Sequence, residues 1–265
     1  MSIPLKFGLF WSGAKLSYLR YLTFKSLRHF HPDAEISLYC SNFNDSIINW
    51  NEEAQDFQNK HEVSEDYFDK LHDLGIKIKI KDEWSSYLPN FQSDFFRWWW
   101  LKEYGGFYLD CDQIILRNFS TLPLDSKMIC SVYEAKSCGI YAPVGVIGAD
   151  PDSELLNVAK SSILNAYQKS NYNSAGPFMF INIIRQYKGN DVISNMPSGC
   201  FYPVSESYKV QSIFSGDLQL GQESYALHWF GGHPMSQKFN SIYTKEFAKR
   251  SNDTISRFLR ENNII

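Results

Sequence analysis

The sequence predicts an α/β fold around a parallel sheet, and three observations carry that expectation. The chain opens as strand, helix, strand, the order of neighbouring parallel strands joined by a right-handed crossover. A second helix–strand unit follows near residue 100, with a double glycine between its two parts. Of the 265 residues, 44% are hydrophobic, enough to bury the core of one large domain.

Leu5 to Trp11 reads as the first strand, with Ser12-Gly13 as its turn. Residues 15–30 read as a helix because Leu16, Leu19, Leu27 and Phe30 recur near whole turns. His31-Pro32 closes it, since the residue before a proline avoids the helical region. Glu35 to Cys40 is the second strand. Residues 45–74 are polar and charged, a solvated insertion with helices expected at 46–58 and 63–74. Ile76-Lys77-Ile78-Lys79-Ile80 alternates strictly, the pattern of a half-exposed strand near a sheet edge. Further on, Met128 to Tyr133 and Ile140 to Ala149 read as strands, and 152–169 as a helix with Leu155, Leu156, Ala159 and Ile163 inward. Ser174-Ala175-Gly176-Pro177 opens another helix through Gln186. Residues 188–224 are loop-rich apart from a short strand at Cys200-Phe201-Tyr202-Pro203. The expected division is a main domain over 1–235 and a C-terminal segment, 236–265, packed on it. One amphipathic helix over 236–262 fills that segment, with Phe239, Ile242, Phe247, Ile255 and Leu259 on its apolar side; peripheral contact with a membrane is its alternative use.

The most informative stretch runs from Ser93 to Asp112. Phe91, Phe95, Trp98 and Trp99 stand at i, i+4, i+7 and i+8, one stripe at the helical period, and Phe96 and Trp100 widen it into a helix buried on several sides. Asp94 and Arg97, three apart, are neighbours on one face. Gly105-Gly106 ends the helix, because a left-handed residue costs little there only for glycine. Phe107-Tyr108-Leu109 is then a short strand with Asp110 and Asp112 at its carboxyl end, where open α/β sheets bind ligands. Alternate strand residues share a side, so the two carboxylates converge, with Cys111 between them pointing into the core. Paired carboxylates are hard oxygen ligands suited to Mg²⁺ or Mn²⁺, ions that commonly bridge to phosphates. Asp-x-Asp alone is weak: Asp150-Pro151-Asp152 fits it too and reads as a turn and helix N-cap.

The flanking residues supply the context. S-D-x-x-R, a hydrophobic helix and Y-G-G-x-Y-L-D-x-D are all present between Ser93 and Asp112. The stretch resembles the sugar-binding region of DXD-motif glycosyltransferases (the family 32-like group), which include mannosyl and capsule transferases and are related to the clostridial glucosylating toxins. The amino-terminal strand ending in Trp11 and the His-Pro before the second strand resemble the same family. The resemblance implies a GT-A-like fold: a single Rossmann-type nucleotide-sugar-binding domain with a mixed central sheet and added helices. It implies a UDP- or GDP-linked sugar donor, a glycan or lipid-linked acceptor, Mn²⁺ (or Mg²⁺), and retention at the anomeric carbon, as in surface polysaccharide synthesis. Residue by residue it implies that Asp112 ligates the metal and that Asp110 holds a ribose or sugar hydroxyl and reaches the metal. It implies that Arg97 bonds sugar or phosphate and that Asp94 accepts from sugar hydroxyls. Phe10, Trp11 and Tyr108 would line the donor pocket. In Tyr225-Ala226-Leu227-His228-Trp229-Phe230-Gly231-Gly232-His233, a strand delivers His228, and the H-x-x-G resembles a third metal ligand; His233 is the alternative.

Two other classes compete. A haloacid-dehalogenase-like phosphatase also places D-x-D after a strand, but it wants Thr or Val where this chain has Ile114, and it needs a late acidic pair. A non-catalytic sugar- or nucleotide-binding protein on a transferase fold would not need the complete S-D-x-x-R and D-x-D set. A net charge of −3 gives no footprint for nucleic acid. The five scattered cysteines suit a reducing compartment, and no apolar run reaches the roughly 18–20 residues of a membrane span. The expected location is the cytoplasm, with the inner face of a membrane as its variant.

Overall fold

The computed structural model describes residues 2–41, 65–136, 139–205 and 207–265. The first strand, β1 (Lys6–Trp11), leads into α1 (Tyr18–Phe30) and β2 (Glu35–Cys40). Helix α1 starts three residues later than its apolar spacing suggests because Ser17 caps it, its hydroxyl accepting from the Arg20 amide. The helix expected at 46–58 lies outside the described residues. Of the one expected at 63–74, the described part holds only a 3₁₀ turn, Asp69–Leu74, ended by Gly75 at φ 65°.

β3 (Lys77–Ile80) follows, then α2 (Pro89–Tyr104), β4 (Gly106–Leu109), β5 (Gln113–Ile115), β6 (Met128–Cys130), β7 (Tyr133–Ala135), β8 (Gly139–Tyr141) and β9 (Val146–Ala149). Next come α3 (Glu154–Ala166), a π-type turn at Ser174–Phe178, α4 (Met179–Gln186) and β10 (Ile193–Asn195). Two short helices, α5 (Ser198–Phe201) and α6 (Gln211–Ser215), precede β11 (Ala226–His228). The central sheet runs β10-β6-β9-β4-β1-β2-β3. β9 pairs antiparallel with both β4 and β6, and the other pairings are parallel, so the sheet is mixed. β3 is the edge strand its alternation predicts.

Several expectations are corrected. The run from 140 to 149 is two strands, because Pro143 removes a ladder donor and the chain leaves the sheet between them. The run from Met128 to Tyr133 stops at Cys130, and Tyr133 starts the separate β7–β8 hairpin. Residues 200–203 form no strand; the Ser198–Phe201 turn takes their place, and the strand of that region is β10. Asp150 accepts from the Asp152 amide and pairs with Lys127 at 2.9 Å, so the second Asp-x-Asp is a turn as read. The helix cap there is Ser153, with Asp191 accepting from its hydroxyl and from the Leu155 amide. The carboxyl-terminal segment is three helices rather than one: α7 (Pro234–Ile242), α8 (Lys245–Arg250) and α9 (Thr254–Glu261). Thr244 and Asp253 side chains cap the last two, and Tyr243, Ala248, Ile255 and Leu259 pack on Leu19, Leu22 and Trp229. No helix among the described residues is long and apolar enough to cross a membrane.

Helix α2 lies on the sheet at its centre. Its Trp100 indole rests on β1 at Gly8, where a Cβ would come within 2.3 Å of the ring, and Trp98 meets Phe180 of α4 at 5.0 Å. Gly105, at φ 63°, donates its amide to Leu101 and turns the chain into β4. β4 is then flanked by β1 and β9 and completely buried, which fixes the residues that follow it.

On the opposite face, His31 is 3% exposed between Phe7 and Phe119, and its Nε2 accepts the Phe119 amide. Burial, then the adjacent Arg28, pushes its pKa down to about 4. The unfolded chain takes up this proton near its ordinary value of about 6.5. Native stability is therefore present above that value and lost as pH falls toward the native one. Between pH 7 and 5 the wild type should lose about 1–2 kcal/mol that His31→Gln does not lose, read by urea unfolding of both proteins. Equal losses in the two would refute it.

Candidate active site

The turn between β4 and β5 carries Asp110, Cys111 and Asp112, and its backbone is held from three sides. Asp110 donates its amide to Gly145, the Thr23 hydroxyl of α1 donates to the Cys111 carbonyl, and Trp229 donates its amide to the Asp112 carbonyl. The Cys111 thiol is buried and donates to the Phe10 carbonyl, pointing away from the carboxylates. The two aspartates therefore converge from a tight turn rather than from a continuing strand. β5 pairs with β11 so that His228 stands opposite Gln113, and this brings the imidazole to the turn.

Asp110, Asp112 and His228 each present a ligand atom within 4.8 Å of the others. Asp112 Oδ1 is 2.9 Å from His228 Nε2, and its Oδ2 accepts from the Gly231 amide at 2.6 Å. Burial alone would raise the Asp112 carboxyl, but His228, Arg20 and the Gly231 amide hold it well below the usual carboxylate range. Burial would lower the His228 imidazole, and Asp112 lifts it instead. Phe230 reaches this geometry at φ 53°, a left-handed conformation costly for an aromatic residue. Its ring lies 4.3 Å from His228, so the strained residue directly precedes the amide that holds Asp112.

A second group adjoins the first. Arg97 Nη2 is 2.9 Å from Asp94 Oδ1, 3.1 Å from the Ser93 hydroxyl and 3.6 Å from Asp110 Oδ1, while Nη1 donates to the Val144 carbonyl. Tyr108 donates to Asp110 Oδ1 at 2.5 Å, and the guanidinium lies 4.6 Å over the Tyr108 ring. Arg97 and Asp94 are 3% and 4% exposed. Burial pushes the Asp94 carboxyl up to about 7 against the pull of Arg97. The Arg97 charge is opposed by burial and secured by Tyr108, Asp94 and Asp110. Exposure rises toward the metal-type cluster, with the Asp110 side chain 26% open, so the floor is closed and the Asp110 side faces outward.

The structure thus brings together Asp94, Arg97, Tyr108, Asp110, Asp112 and His228 of the residues singled out in the sequence. Trp11 joins through Arg20, whose guanidinium lies 4.4 Å over the Trp11 ring and 5.1 Å from the Trp229 ring. Phe10 does not join them: it is 5% exposed and stacks on Phe96 inside the core. His233 caps α7, its Nδ1 accepting from Met235, so the histidine brought to the carboxylates is His228.

Three neighbours, Arg20, Gly145 and Tyr172, gave no signal in the sequence. Arg20 is one basic residue of an amphipathic helix. Gly145 looks like an ordinary loop glycine, whereas Gly176 belongs to a Gly-Pro turn that resembles one near the acceptor side in the family; a Cβ on either would stand 2.7 Å from Asp110 Oδ2 or Asp94 Oδ1, respectively. The Gly-Pro turn was legible, but not that it wraps Asp94. Tyr172, in the turn before it, extends its hydroxyl to the far loop, 3.9 Å from where a Cβ on Gly232 would be.

Asp110, Asp112 and His228 fit a divalent cation by the chemistry of their donors, two carboxylates and an imidazole. Asp112 and His228, hydrogen-bonded to each other here, would turn the same two atoms to the ion.

Residues 20–129 match the family model described as glycosyltransferase sugar-binding region containing DXD motif, a span that runs from α1 to β6. No curated protein sequence matches the chain. Among solved structures, the PaToxG glycosyltransferase is 21% identical, covers 70% of this chain and 70% of its own, and superposes with a TM-score of 0.50. The glycosyltransferase GlyE of Streptococcus pneumoniae TIGR4 is 13% identical over 98% of this chain and 64% of its own, also at 0.50. At these identities the likeness shows the fold, a mixed α/β sheet of the GT-A type.

Proposed function

We propose, from the match of residues 20–129 to the sugar-binding region of DXD glycosyltransferases, that this chain transfers a sugar from a UDP- or GDP-linked donor to a hydroxyl of a glycan or lipid-linked acceptor. The observation that carries the reading is the convergence of Asp110, Asp112 and His228 beside the buried Asp94–Arg97 pair. One cluster suits a cation and the other suits polyhydroxylated or anionic groups, and a nucleotide sugar needs both.

A divalent cation at Asp110, Asp112 and His228 would neutralise charge on the leaving diphosphate. The chain's own residues do the positioning. Asp94 offers acceptor oxygens to sugar hydroxyls, and Arg97 fixes Asp94 and Asp110 relative to one another. Tyr108 orients Asp110 by donating to its Oδ1, leaving Oδ2 over Gly145. Trp11 and Arg20 form a flat cationic wall suited to a base or a phosphate. In transfer, the acceptor oxygen bonds to the anomeric carbon, the bond from that carbon to the diphosphate oxygen breaks, and the acceptor proton leaves with the diphosphate. We infer retention, with attack from the face the diphosphate leaves, and a role in surface glycan synthesis. The domain reading, residues 1–235 catalytic and 236–265 packed on them, belongs to the same proposal.

The test is a panel of UDP- and GDP-sugars scored for hydrolysis and thermal stabilisation with Mn²⁺, with Mg²⁺ and with chelator. One donor should stabilise the protein only with metal and be hydrolysed slowly. Silence from every donor, together with acylphosphate trapping by beryllium fluoride, would replace this reading with the phosphatase.

A further inference from the structure

We propose that Tyr172 is the platform of the acceptor subsite and that the acceptor is a saccharide, its ring lying on the phenol face and its attacking hydroxyl directed at the Asp110 side of the cluster. This rests on the transferase reading above. Tyr172 sits in the turn between α3 and α4 and is 65% exposed. An exposed aromatic at this place is not a core residue that failed to bury. Its carbonyl accepts from Asn90 Nδ2 at 3.4 Å, tying the turn to the first turn of α2. Two residues on, Ser174 starts the segment whose Gly176 packs on Asp94. The turn is therefore anchored to the same helix that supplies Asp94 and Arg97.

The side chain crosses the opening. Its hydroxyl reaches to within 3.9 Å of the Gly232 side-chain position, beside the loop that holds Asp112. Among the described residues no ring stacks on Tyr172 and no hydrogen bond occupies its hydroxyl. One end of the residue thus lies beside the loop whose Gly231 amide holds Asp112, and a flat apolar face is left to solvent.

That combination suits a pyranose. Sugar rings present C–H faces that pack on aromatic planes and hydroxyls that pair with polar groups at the edge. Assignment to the acceptor rather than the donor follows from burial. Asp94, Arg97 and Tyr108 close the floor, so the donor takes the inner volume and the second substrate meets the open rim, where Tyr172 stands. A peptide or a lipid headgroup alone would not use a lone flat ring beside three carboxylates in this way.

The probes are lactose, maltose, cellobiose and N-acetyllactosamine, followed by saturation-transfer NMR with Mn²⁺ and the nucleoside diphosphate of the donor found above. At least one should bind the wild type. Tyr172→Ala should weaken it about tenfold, and Tyr172→Phe, which keeps the ring, only about threefold. Nucleotide-dependent thermal stabilisation of the Tyr172→Ala protein, which reports the donor side, should match the wild type. The inference is overturned if no disaccharide binds a protein that binds nucleotide, or if Tyr172→Ala binds the disaccharide as the wild type does. Failure of the wild type to bind any nucleotide with metal would overturn the transferase reading and this inference with it.

Discussion

Asp112→Asn should lower metal-dependent turnover of the donor by on the order of 10³-fold while leaving the fold intact. The reasoning starts from what the carboxylate does in the protein. It accepts from the Gly231 amide and meets His228 Nε2, contacts that an amide oxygen and an amide NH₂ can reproduce in outline. What asparagine cannot supply is the negative charge, held ionised well below the usual carboxylate range by His228, Arg20 and Gly231. Loss of function without loss of structure separates a ligand from a packing residue. The measurement is donor hydrolysis beside Mn²⁺ affinity and melting temperature. Unchanged Mn²⁺-dependent turnover would remove Asp112 from the metal role; a collapse of the melting temperature would assign it to the fold.

How much of this was legible depends on whether a residue's role is set by its neighbours in sequence or in space. The unit from α2 to β4 was read closely because its signals are local: an apolar stripe, a glycine forced to positive φ, and two aspartates one residue apart. β1, α1 and β2 were clear for the same reason. The C-terminal helices were read as one because the apolar spacing from Phe239 to Leu259 carries through the breaks, although Thr244 and Asp253 are cap residues that mark them. β10 has three residues and gains its pairing only from β6, so nothing in Ile193-Ser194-Asn195 announces it. In the site, Asp94, Arg97, Asp110 and Asp112 lie within 19 residues and announce themselves by spacing. His228 needed β11 to pair with β5. Arg20, Gly145, Gly176 and Tyr172 matter only because the fold brings distant loops over the carboxylates. Phe10 is a strand residue that reads equally as pocket or as core, and its ring packs on Phe96.

Arg97→Met should destabilise the protein by about 3–5 kcal/mol, the cost of leaving a buried charge without its partner. Asp94 is 4% exposed and its closest cationic contact is the 2.9 Å bond to Arg97. Methionine fills much of the volume, so a cavity does not explain the loss. The pH dependence identifies the cause. Burial already pushes Asp94 up to about 7 with Arg97 present, and without it the shift grows. A carboxyl whose native pKa lies above its unfolded one is no liability while both states are protonated. Its penalty accrues as pH rises above the unfolded value and is complete once pH passes the native one. A native value raised further in the variant adds to the penalty only above about pH 7. Urea unfolding should therefore show the gap between variant and wild type narrowing from pH 8 to pH 6. Arg97→Met combined with Asp94→Asn removes the stranded charge and should recover more than half of the lost stability without restoring transfer. If the double variant is no more stable than the single one, the charge on Asp94 is not what Arg97 balances, and the loss lies in its bonds to Val144 and Ser93 instead.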